Sequence, residues 1–466
     1  MHGPCIERLE RDDVSTRRRV PPRRQIVALA TCLALAGVGA CGHQDRQRGS
    51  PADSTCDGKL SGSSPTYITA WFHDSGANTE EAQILREQVS AFNAAEKQVQ
   101  VKLITLPVGD YAQQVQAAAA HGGLPDLLDF DGPNLYNYAW SGKLKPIDSC
   151  VSQSLREDLL PSVIEQGSYA NRLWGIGTFE SGLGLFVRPS ILMQAGIRIP
   201  SGAADAWTAD EFTTVLQRLR QAGFERPLDL QLDEPNPEWY TYGFAPAVWS
   251  AGGDLIDRTN YRTVNGFLNG PGAVKAFTFM QRWVREGYVD RNATGDAFQQ
   301  NRSPISWIGH WFYERYSKAF PDDIRIVPLP NFGDRTATDS GSWQWGITSN
   351  ATDGDAVWRF LRFLLRPEEV VRMTSTNGAI PGTRSAVRMS PEFAAGGPKH
   401  LYIEQLEGGV ARSRPQTPVY PALSTAFASA FNEAVVQGRP VDASLDAAAR
   451  RVEGNLREHQ YYPPPS

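Results

Sequence analysis

The strongest constraint on the fold is an alternation of strand-like and helix-like segments that begins at residue 67. A β-rich run at 67–72 precedes a segment at 79–97 whose apolar residues fall on one helical face. Residues 99–106 alternate as a second strand, 111–121 are helical, and 126–130 form a short third strand. Such alternation predicts an α/β fold with a largely parallel sheet.

The length of 466 residues predicts more than one compact core, so two lobes are expected. After about residue 178 the pattern changes to longer helical segments, such as 209–222 and 272–286, separated by aromatic-rich loops. A further strand is predicted near 345–348 and a helix at 353–365. No period typical of repeat proteins is present in the sequence.

The N-terminus has the pattern of a secretion signal. Five arginines between Arg17 and Arg24 precede an uncharged run at 26–38, which is too short to span a bilayer permanently. The run ends in Val38-Gly39-Ala40-Cys41, which resembles a lipobox. We therefore predict a signal peptide at 1–40, lipidation of Cys41 and a flexible Gly/Ser-rich tether at 41–65.

Two features of this leader stay open. The arginine pair at 23–24 is compatible with either general secretion or twin-arginine export, and translation could start at Met1 or at Val14. Removing 1–40 takes away seven Lys and Arg but four Asp and Glu, which changes the net charge from −5 to −8. An acidic mature chain has no electrostatic reason to bind nucleic acid, and only the lipid anchor would hold it at a membrane.

The cysteines fit an oxidising compartment. Cys5 and Cys32 would leave with the leader and Cys41 would be modified, so Cys56 and Cys150 are left to explain. Secretion permits a disulfide between them, but the sequence leaves open whether their Cα atoms come within bridging distance.

Aromatic and polar side chains occur together in several predicted loops. Sugar hydroxyls need polar partners, and sugar C–H faces need flat aromatic surfaces, so this combination favours a carbohydrate site. Each cluster follows or separates strand-like runs, where open α/β sheets bind ligands. The clusters are 72–75 (FHDS), 131–134 (DGPN), 179–181 (FES), 248–250 (VWS), 309–311 (GHW) and 342–345 (SWQW).

Every candidate also has a structural interpretation. Trp249 and Trp311 could pack in a core, and Glu80 could complement a helix N-terminus. Asp131 could form a turn, and His310 could be a structural histidine. The ensemble of clusters, rather than any single residue, favours binding.

Common catalytic motifs are missing from the sequence: it has no HExxH, GxxxxGK[ST], GxSxG or CxxC. We therefore expect a protein that is not an enzyme and that has no cofactor and no metal. A glycosidase stays open, because it needs only two carboxylates at a distance that sequence cannot measure.

Several segments, in order along the chain, resemble the solute-binding proteins of carbohydrate ABC importers related to the maltose and trehalose/maltose receptors. The similarity runs from about Tyr67 to Leu456. The segments are 68–94 (ITAWFHDSGANTEEAQILREQVSAFNA), 124–132 (LPDLLDFDG), 249–254 (WSAGGD), 308–311 (IGHW), 341–343 (GSW, with Ser in place of the family's second Gly), 377–384 (NGAIPGTR) and 414–420 (RPQTPVY).

The resemblance implies a two-lobed type II periplasmic-binding-protein fold that closes by hinge rotation around its ligand. Lobe 1 would comprise 66–178 and 346–376, and lobe 2 would comprise 179–345 and 377–466, with crossings near 179, 344 and 377. It also implies a set of ligand-binding residues: Asp74, Ser75, Glu80, Asp131, Asn134, Glu180, Ser181, Trp249, His310, Trp311, Trp343 and Arg384.

The same resemblance implies partners and location. The protein would be a monomer that delivers a sugar or oligosaccharide to a two-subunit permease, which a cytoplasmic ATPase drives. It would be extracytoplasmic, anchored to the outer face of the cell membrane through Cys41. The alternatives are a secreted carbohydrate-active enzyme, a ligand sensor, and a receptor for a polar non-sugar ligand; Arg384 as the one proposed cation favours a neutral sugar over the last.

Overall fold

The structure, a computed structural model, describes residues 55–60, 65–74, 79–233, 236–291 and 295–463. The predicted signal peptide, the lipidation site Cys41 and the ligand candidate Ser75 lie outside the described residues.

Strands and helices alternate in the first part of the chain, as predicted. The strands are β1 Thr66–Asp74, β2 Val99–Pro107, β3 Leu127–Asp131, β4 Ser168–Tyr169, β5 Arg172–Leu173, β6 Phe179–Glu180, β7 Leu183–Val187, β8 Leu228–Asp229, β9 Ile305–Gly309, β10 Arg325–Val327, β11 Thr338–Ser340, β12 Trp343–Ile347, β13 Ile380–Pro381 and β14 Ala411–Ser413.

Eleven of the sixteen α-helices in the described residues follow β7. The helices are α1 Thr79–Ala95, α2 Val108–His121, α3 Leu135–Trp140, α4 Gln153–Asp158, α5 Pro161–Gln166, α6 Pro189–Gln194, α7 Ala209–Gln221, α8 Glu238–Ser250, α9 Pro271–Arg285, α10 Tyr313–Ala319, α11 Gly354–Leu364, α12 Pro367–Asn377, α13 Arg384–Arg388, α14 His400–Glu407, α15 Tyr420–Phe431 and α16 Val441–Glu458. Single 3₁₀ turns precede α3 at Gly132–Asn134 and α10 at His310–Phe312.

The first sheet has the strand order β12-β3-β1-β2. β1 pairs in parallel with β2 and β3, and β12 pairs antiparallel with β3. One hydrophobic core on this sheet joins β1 to α1 and α11, and a second core joins it to α2 and α3. A sheet covered by helices on both faces confirms the predicted α/β architecture with largely parallel pairing.

The second sheet has the strand order β10-β7-β9-β8. β7 (LGLFV) and β9 (ISWIG) are buried at every residue, because helices such as α7 and α8 cover the sheet and share one large core with it. Thr208 caps the N-terminus of α7 by accepting a hydrogen bond from the Glu211 amide, 3.1 Å away. The predicted helices at 209–222 and 272–286 correspond to α7 and α9.

Three chain segments run between the two sheets. β6 pairs antiparallel with β13 in a short ribbon, and β11 is separated from β12 by Gly341 and Ser342. Gly341 has φ +140°, and a Cβ there would lie 2.8 Å from an Arg414 nitrogen, so glycine is required at this crossing. The lobe ranges stay a prediction with one correction: β12 pairs with β3 from Trp343 onward, so residues 343–345 belong to the first sheet and not to the second lobe.

A disulfide joins Cys56 to Cys150, with the Cα atoms 5.1 Å apart. It ties the N-terminal segment at 55–60 to the loop before α4, beside the core of the first sheet. Thr55 extends this attachment by donating a hydrogen bond from its hydroxyl to the Pro146 carbonyl.

Within the described residues, no helix is both long enough and apolar enough to cross a membrane.

Candidate ligand-binding cavity

A cavity lies where residues from both sheets and from the crossing segments meet. It contains about 730 Å³ of empty space, part of it open to solvent. Its walls comprise His73, Glu81, Asp131 and Trp343 on the side of the first sheet, Glu238, Trp239, Tyr242, His310, Trp311 and Arg414 on the side of the second, and Phe179, Ser181, Gly341, Ser342 and Asn377 from the segments between them.

Arg414, which follows β14, is the centre of a buried charge cluster. Its side chain is 3% exposed and contacts three carboxylates: Asp131 at 3.1 Å, Glu238 at 2.7 Å and Asp339 at 3.7 Å. Asp131 ends β3 of the first sheet, whereas Glu238 begins α8 and Asp339 lies in β11. The ion pair between Arg414 and Asp131 therefore joins the two sides of the cavity.

Glu238 is held by further hydroxyl groups. Tyr420 and Ser424 on α15 each donate a hydrogen bond to its carboxylate. Burial nevertheless raises the pKa of Glu238 above its usual value, with Arg414 opposing this shift. Burial likewise raises the pKa of Asp339 well above its usual value, although Arg414 is close. One guanidinium is thus shared among more acidic groups than it can neutralise.

Asp339→Asn should become more stable relative to the wild type as pH rises from about 4 to 8. The raised pKa of Asp339 means that the folded protein holds this proton more tightly than the unfolded chain, so the wild type loses stability as pH rises above the unfolded value near 3.8. Asparagine has no proton to lose. Urea denaturation across this pH range would measure the difference, and parallel curves for the two proteins would contradict the shift.

His73, near the end of β1, forms a second buried cluster. Its Nδ1 lies 2.5 Å from Asp129 Oδ2, and its Nε2 lies 3.9 Å from Glu81 Oε2. Burial disfavours a charged imidazole, but Asp129 and then Glu81 outweigh it and raise the pKa of His73. Asn377 donates a hydrogen bond to Glu81 Oε1 at 3.0 Å. The Trp343 indole stacks on His73 with ring centroids 3.4 Å apart.

His310 and Ser181 form a neutral pair on the cavity wall. Burial lowers the pKa of His310 to about 4, so the ring carries one proton at neutral pH. His310 Nδ1 lies 2.8 Å from the Asn377 carbonyl oxygen, which can only accept, so Nδ1 holds that proton. The Ser181 hydroxyl, 3.3 Å from Nε2, must then donate to the ring and keeps its oxygen lone pairs for other donors.

Aromatic rings stand on both sides of the cavity. Trp311 meets Trp239 edge-on at a centroid distance of 6.0 Å and Tyr242 at 5.8 Å. The Trp311 ring packs directly over Gly309, where a Cβ would lie 1.9 Å from a ring carbon. Trp343 faces the cavity from the first sheet. These rings provide flat apolar surfaces beside the polar groups.

Glu180 lies behind the wall and connects the crossings. It is fully buried and accepts hydrogen bonds from the amides of Ser181 and Gly341, at 3.0 and 2.7 Å, and from Gln166 Nε2 at 2.8 Å. Burial raises its pKa, which these donors oppose. Its position favours a structural role at the crossing and not the predicted contact with ligand.

Five predicted ligand residues line the cavity, namely Asp131, Ser181, His310, Trp311 and Trp343, and their role stays a prediction.

Other predicted residues lie elsewhere. Trp249 is 1% exposed in the core of the second sheet, where its indole nitrogen donates to Asp254 at 3.2 Å. Arg384 is exposed at the start of α13, and the exposed Glu80 lies 3.5 Å from Lys318 on α10. Asp74 and Asn134 are half-buried but do not line the cavity. A motif match places a residue near a site without deciding which way its side chain points.

Several wall residues were not predicted as ligand contacts: Glu238, Trp239 and Tyr242 on α8, and His73, Glu81, Asn377 and Arg414 in segments that resemble the family. Arg414 begins the segment 414–420, which resembles the family, but nothing in its local sequence shows that it is buried. On α8, Glu238 and Tyr242 are four residues apart and Trp239 and Tyr242 three apart, which places them on one face. That spacing was the available signal.

Two helix-covered sheets are joined by three crossings, and a polar and aromatic cavity lies where they meet. This architecture defines a type II solute-binding fold. The chain belongs to the bacterial extracellular solute-binding protein family, whose family model matches residues 87–397. A lipoprotein of Streptomyces antibioticus, described as uncharacterized and encoded in the oleD 5' region, is 20% identical over 375 residues, which are 78% of each chain.

Solved structures share the fold. The cyclic α-maltosyl-1,6-maltose binding protein of Arthrobacter globiformis is 22% identical with a TM-score of 0.69, covering 84% of this chain and 100% of its own. An ABC transporter solute-binding protein of Thermotoga lettingae, bound with α-D-tagatose, is 18% identical with a TM-score of 0.71, covering 84% and 100%. These likenesses confirm the predicted architecture.

Proposed function

We propose that the protein is the substrate-binding lipoprotein of an ABC importer that captures a sugar or oligosaccharide between its two lobes. The observation that carries this proposal is the pairing of aromatic rings with polar groups around one cavity. Trp311 and Trp343 offer surfaces to sugar C–H faces, while Asp131, Ser181 and Asn377 offer hydrogen-bond partners to hydroxyl groups. The carbohydrate ligands in the names of the structural relatives support the same class of ligand.

Ligand capture would use rotation about the three crossings. Asp131 reaches the cavity from the first sheet, and Arg414 reaches it from the segment after β14. Closing the lobes would therefore bring hydrogen-bonding groups to the ligand from both sides. The closed form would then dock on a two-subunit permease that a cytoplasmic ATPase drives. Lipidation at Cys41 would keep the monomeric receptor at the outer face of the membrane.

We propose no chemistry on the ligand. Two observations support this: the family is one of solute-binding proteins, and ion pairs with Arg414 already engage the wall carboxylates Asp131 and Glu238. Incubating candidate oligosaccharides with the protein and analysing the products tests this part of the proposal, and cleaved or transferred product would contradict it.

Trp311→Ala should weaken saccharide binding by about tenfold or more, because the change removes a large aromatic surface from the cavity wall. A calorimetric or thermal-shift screen of mono- and oligosaccharides first identifies the ligand, and titration of the variant then measures the loss.

Tyr67→Ala is the matched control, because Tyr67 is 76% exposed and does not line the cavity. It should bind as the wild type does. Equal affinity in both variants would place the binding site elsewhere.

A further inference from the structure

The cavity holds more acid than base. Three carboxylates line it, Glu81, Asp131 and Glu238, and two more groups lie directly behind, since Asp129 contacts His73 and Asp339 lies near Arg414. The basic groups on the same walls are Arg414 and His73, because the low pKa of His310 keeps that ring neutral. Five acidic groups therefore lie in or directly behind the cavity wall, against two basic groups.

The cluster at Arg414 has too few hydrogen-bond donors for its carboxylates, as well as too little positive charge. Two of the guanidinium nitrogens serve Asp131 and Glu238, and Nε lies 3.7 Å from Asp339, too far for a hydrogen bond. Neither carboxylate oxygen of Asp339 has a hydrogen-bond partner among the described residues, although the residue is 1% exposed. The raised pKa values of Glu238 and Asp339 agree with this shortage.

Two hydroxyl groups on the cavity wall are available to bind a ligand. Ser342 is 3% exposed and Tyr242 is 6% exposed, yet their hydroxyl oxygens have no hydrogen-bond partner in the part of the chain that the structure describes. Buried polar groups are nearly always paired, so a molecule that enters here would complete them. Tyr242 lies at the Arg414 end, since its ring lies 5.0 Å from the guanidinium carbon, and Ser342 follows Gly341, where a Cβ would lie 2.8 Å from an Arg414 nitrogen.

An ammonium group suits this environment better than a hydroxyl group. It carries three donors, no acceptor and a positive charge, whereas a hydroxyl brings one donor, two acceptor lone pairs and no charge. A metal ion suits it less well, because no group of three or more His, Cys, Asp or Glu among the described residues could hold one. The faces of the Trp239, Tyr242 and Trp311 rings can also attract a cation through cation–π interaction.

Resting on the proposed function, we infer that the ligand is a saccharide with a protonated amino group, and that Asp131 and Glu238 at the Arg414 end of the cavity select for that group. The indole rings would hold the sugar faces, and the carboxylates of Asp131 and Glu238 would accept hydrogen bonds from the amine. The earlier expectation of a neutral sugar relied on Arg384 as the one cation, and the structure places Arg384 outside the cavity.

Matched ligand pairs test the inference by titration calorimetry. The pairs are glucosamine with glucose, galactosamine with galactose, and fully deacetylated chitobiose with cellobiose, at about pH 6 where the amine is protonated. N-acetylglucosamine and diacetylchitobiose control for bulk at the same carbon. We expect at least one amino ligand to bind about tenfold or more tightly than its neutral partner, with the ratio falling in 0.5 M NaCl.

The variants Asp131→Asn and Glu238→Gln should each reduce that ratio, because each removes one negative charge while keeping its shape. Glu80→Gln is the matched control, since Glu80 is an exposed acid near the cavity but not in its wall. Circular dichroism of each variant checks that it is folded.

The outcomes separate the two proposals. If neutral saccharides bind and every amino partner binds equally or more weakly, the inference is overturned and the proposed function stands. A preference for amines that survives both cavity substitutions overturns it as well. If no saccharide of either kind binds, the proposed function is contradicted, and the inference with it.

Discussion

Arg414→Met should lower the free energy of unfolding by about 3–5 kcal/mol at pH 7, the range found when one partner of a buried ion cluster is removed. The substitution leaves Asp131, Glu238 and Asp339 close together in a protein interior with no cation between them. The loss should grow as pH rises, because burial already raises the pKa values of Glu238 and Asp339 and removal of Arg414 raises them further, and the stability that the protonated forms contribute disappears on deprotonation. Chemical denaturation at pH 5 and pH 7 would measure it.

Arg412→Met provides a matched control two residues away. Arg412 is 30% exposed and pairs with Asp254 at 2.6 Å, but Arg258 also contacts that carboxylate at 3.0 Å, so the acid stays compensated. We expect a loss of about 1 kcal/mol or less. A loss for Arg414→Met no larger than this would show that the three carboxylates do not depend on Arg414.

Replacing both Cys56 and Cys150 by Ser should lower the free energy of unfolding by about 2–5 kcal/mol. The disulfide closes a loop with a sequence separation of 94 residues, so its loss gives the unfolded chain much more conformational freedom. It also removes one attachment of the segment at 55–60, which hydrogen bonds from Thr55, Asp57 and Gly58 hold as well. Thermal unfolding with and without dithiothreitol would test this prediction.

Reductant provides the internal control for that experiment. Dithiothreitol should lower the melting temperature of the wild type to that of the double variant and should leave the double variant unchanged. A wild type that is insensitive to reductant under conditions that reduce the bond would contradict a stabilising role.

Much of the fold could be predicted because its signals are local. The alternation between residues 67 and 130 reflects side chains that point to opposite faces of a strand or to one face of a helix, and β1 to β3 with α1 and α2 follow it closely. The predicted helices α7, α9 and α11 rest on the same periodicity. The lobe boundary at 345/346 was misplaced, because sequence pattern marks a strand but not the sheet that it joins.

The candidate site could be predicted only in part, for a related reason. Asp131, Ser181, His310, Trp311 and Trp343 follow or begin strands, and strand ends converge in this class of fold, so position along the chain was informative for them. Trp249 also lies in a segment that was predicted as a loop, but it is near the C-terminal end of α8 and its side chain is buried in the core. The motif at 377–384 predicted Arg384 as the cation of the binding site. In the structure, the arginine that lines the cavity is Arg414.

Local composition and periodicity were enough to predict the α/β class, a secretion signal at the N-terminus and the supply of aromatic and acidic side chains. The convergence of Asp131, Glu238, Asp339 and Arg414 could not be read from the chain, because it depends on how two sheets meet across the crossings. Burial then sets the chemistry of the cluster, since the same carboxylates in water would need no shared cation. The character of the cavity is therefore a property of contacts between residues as far as 296 positions apart.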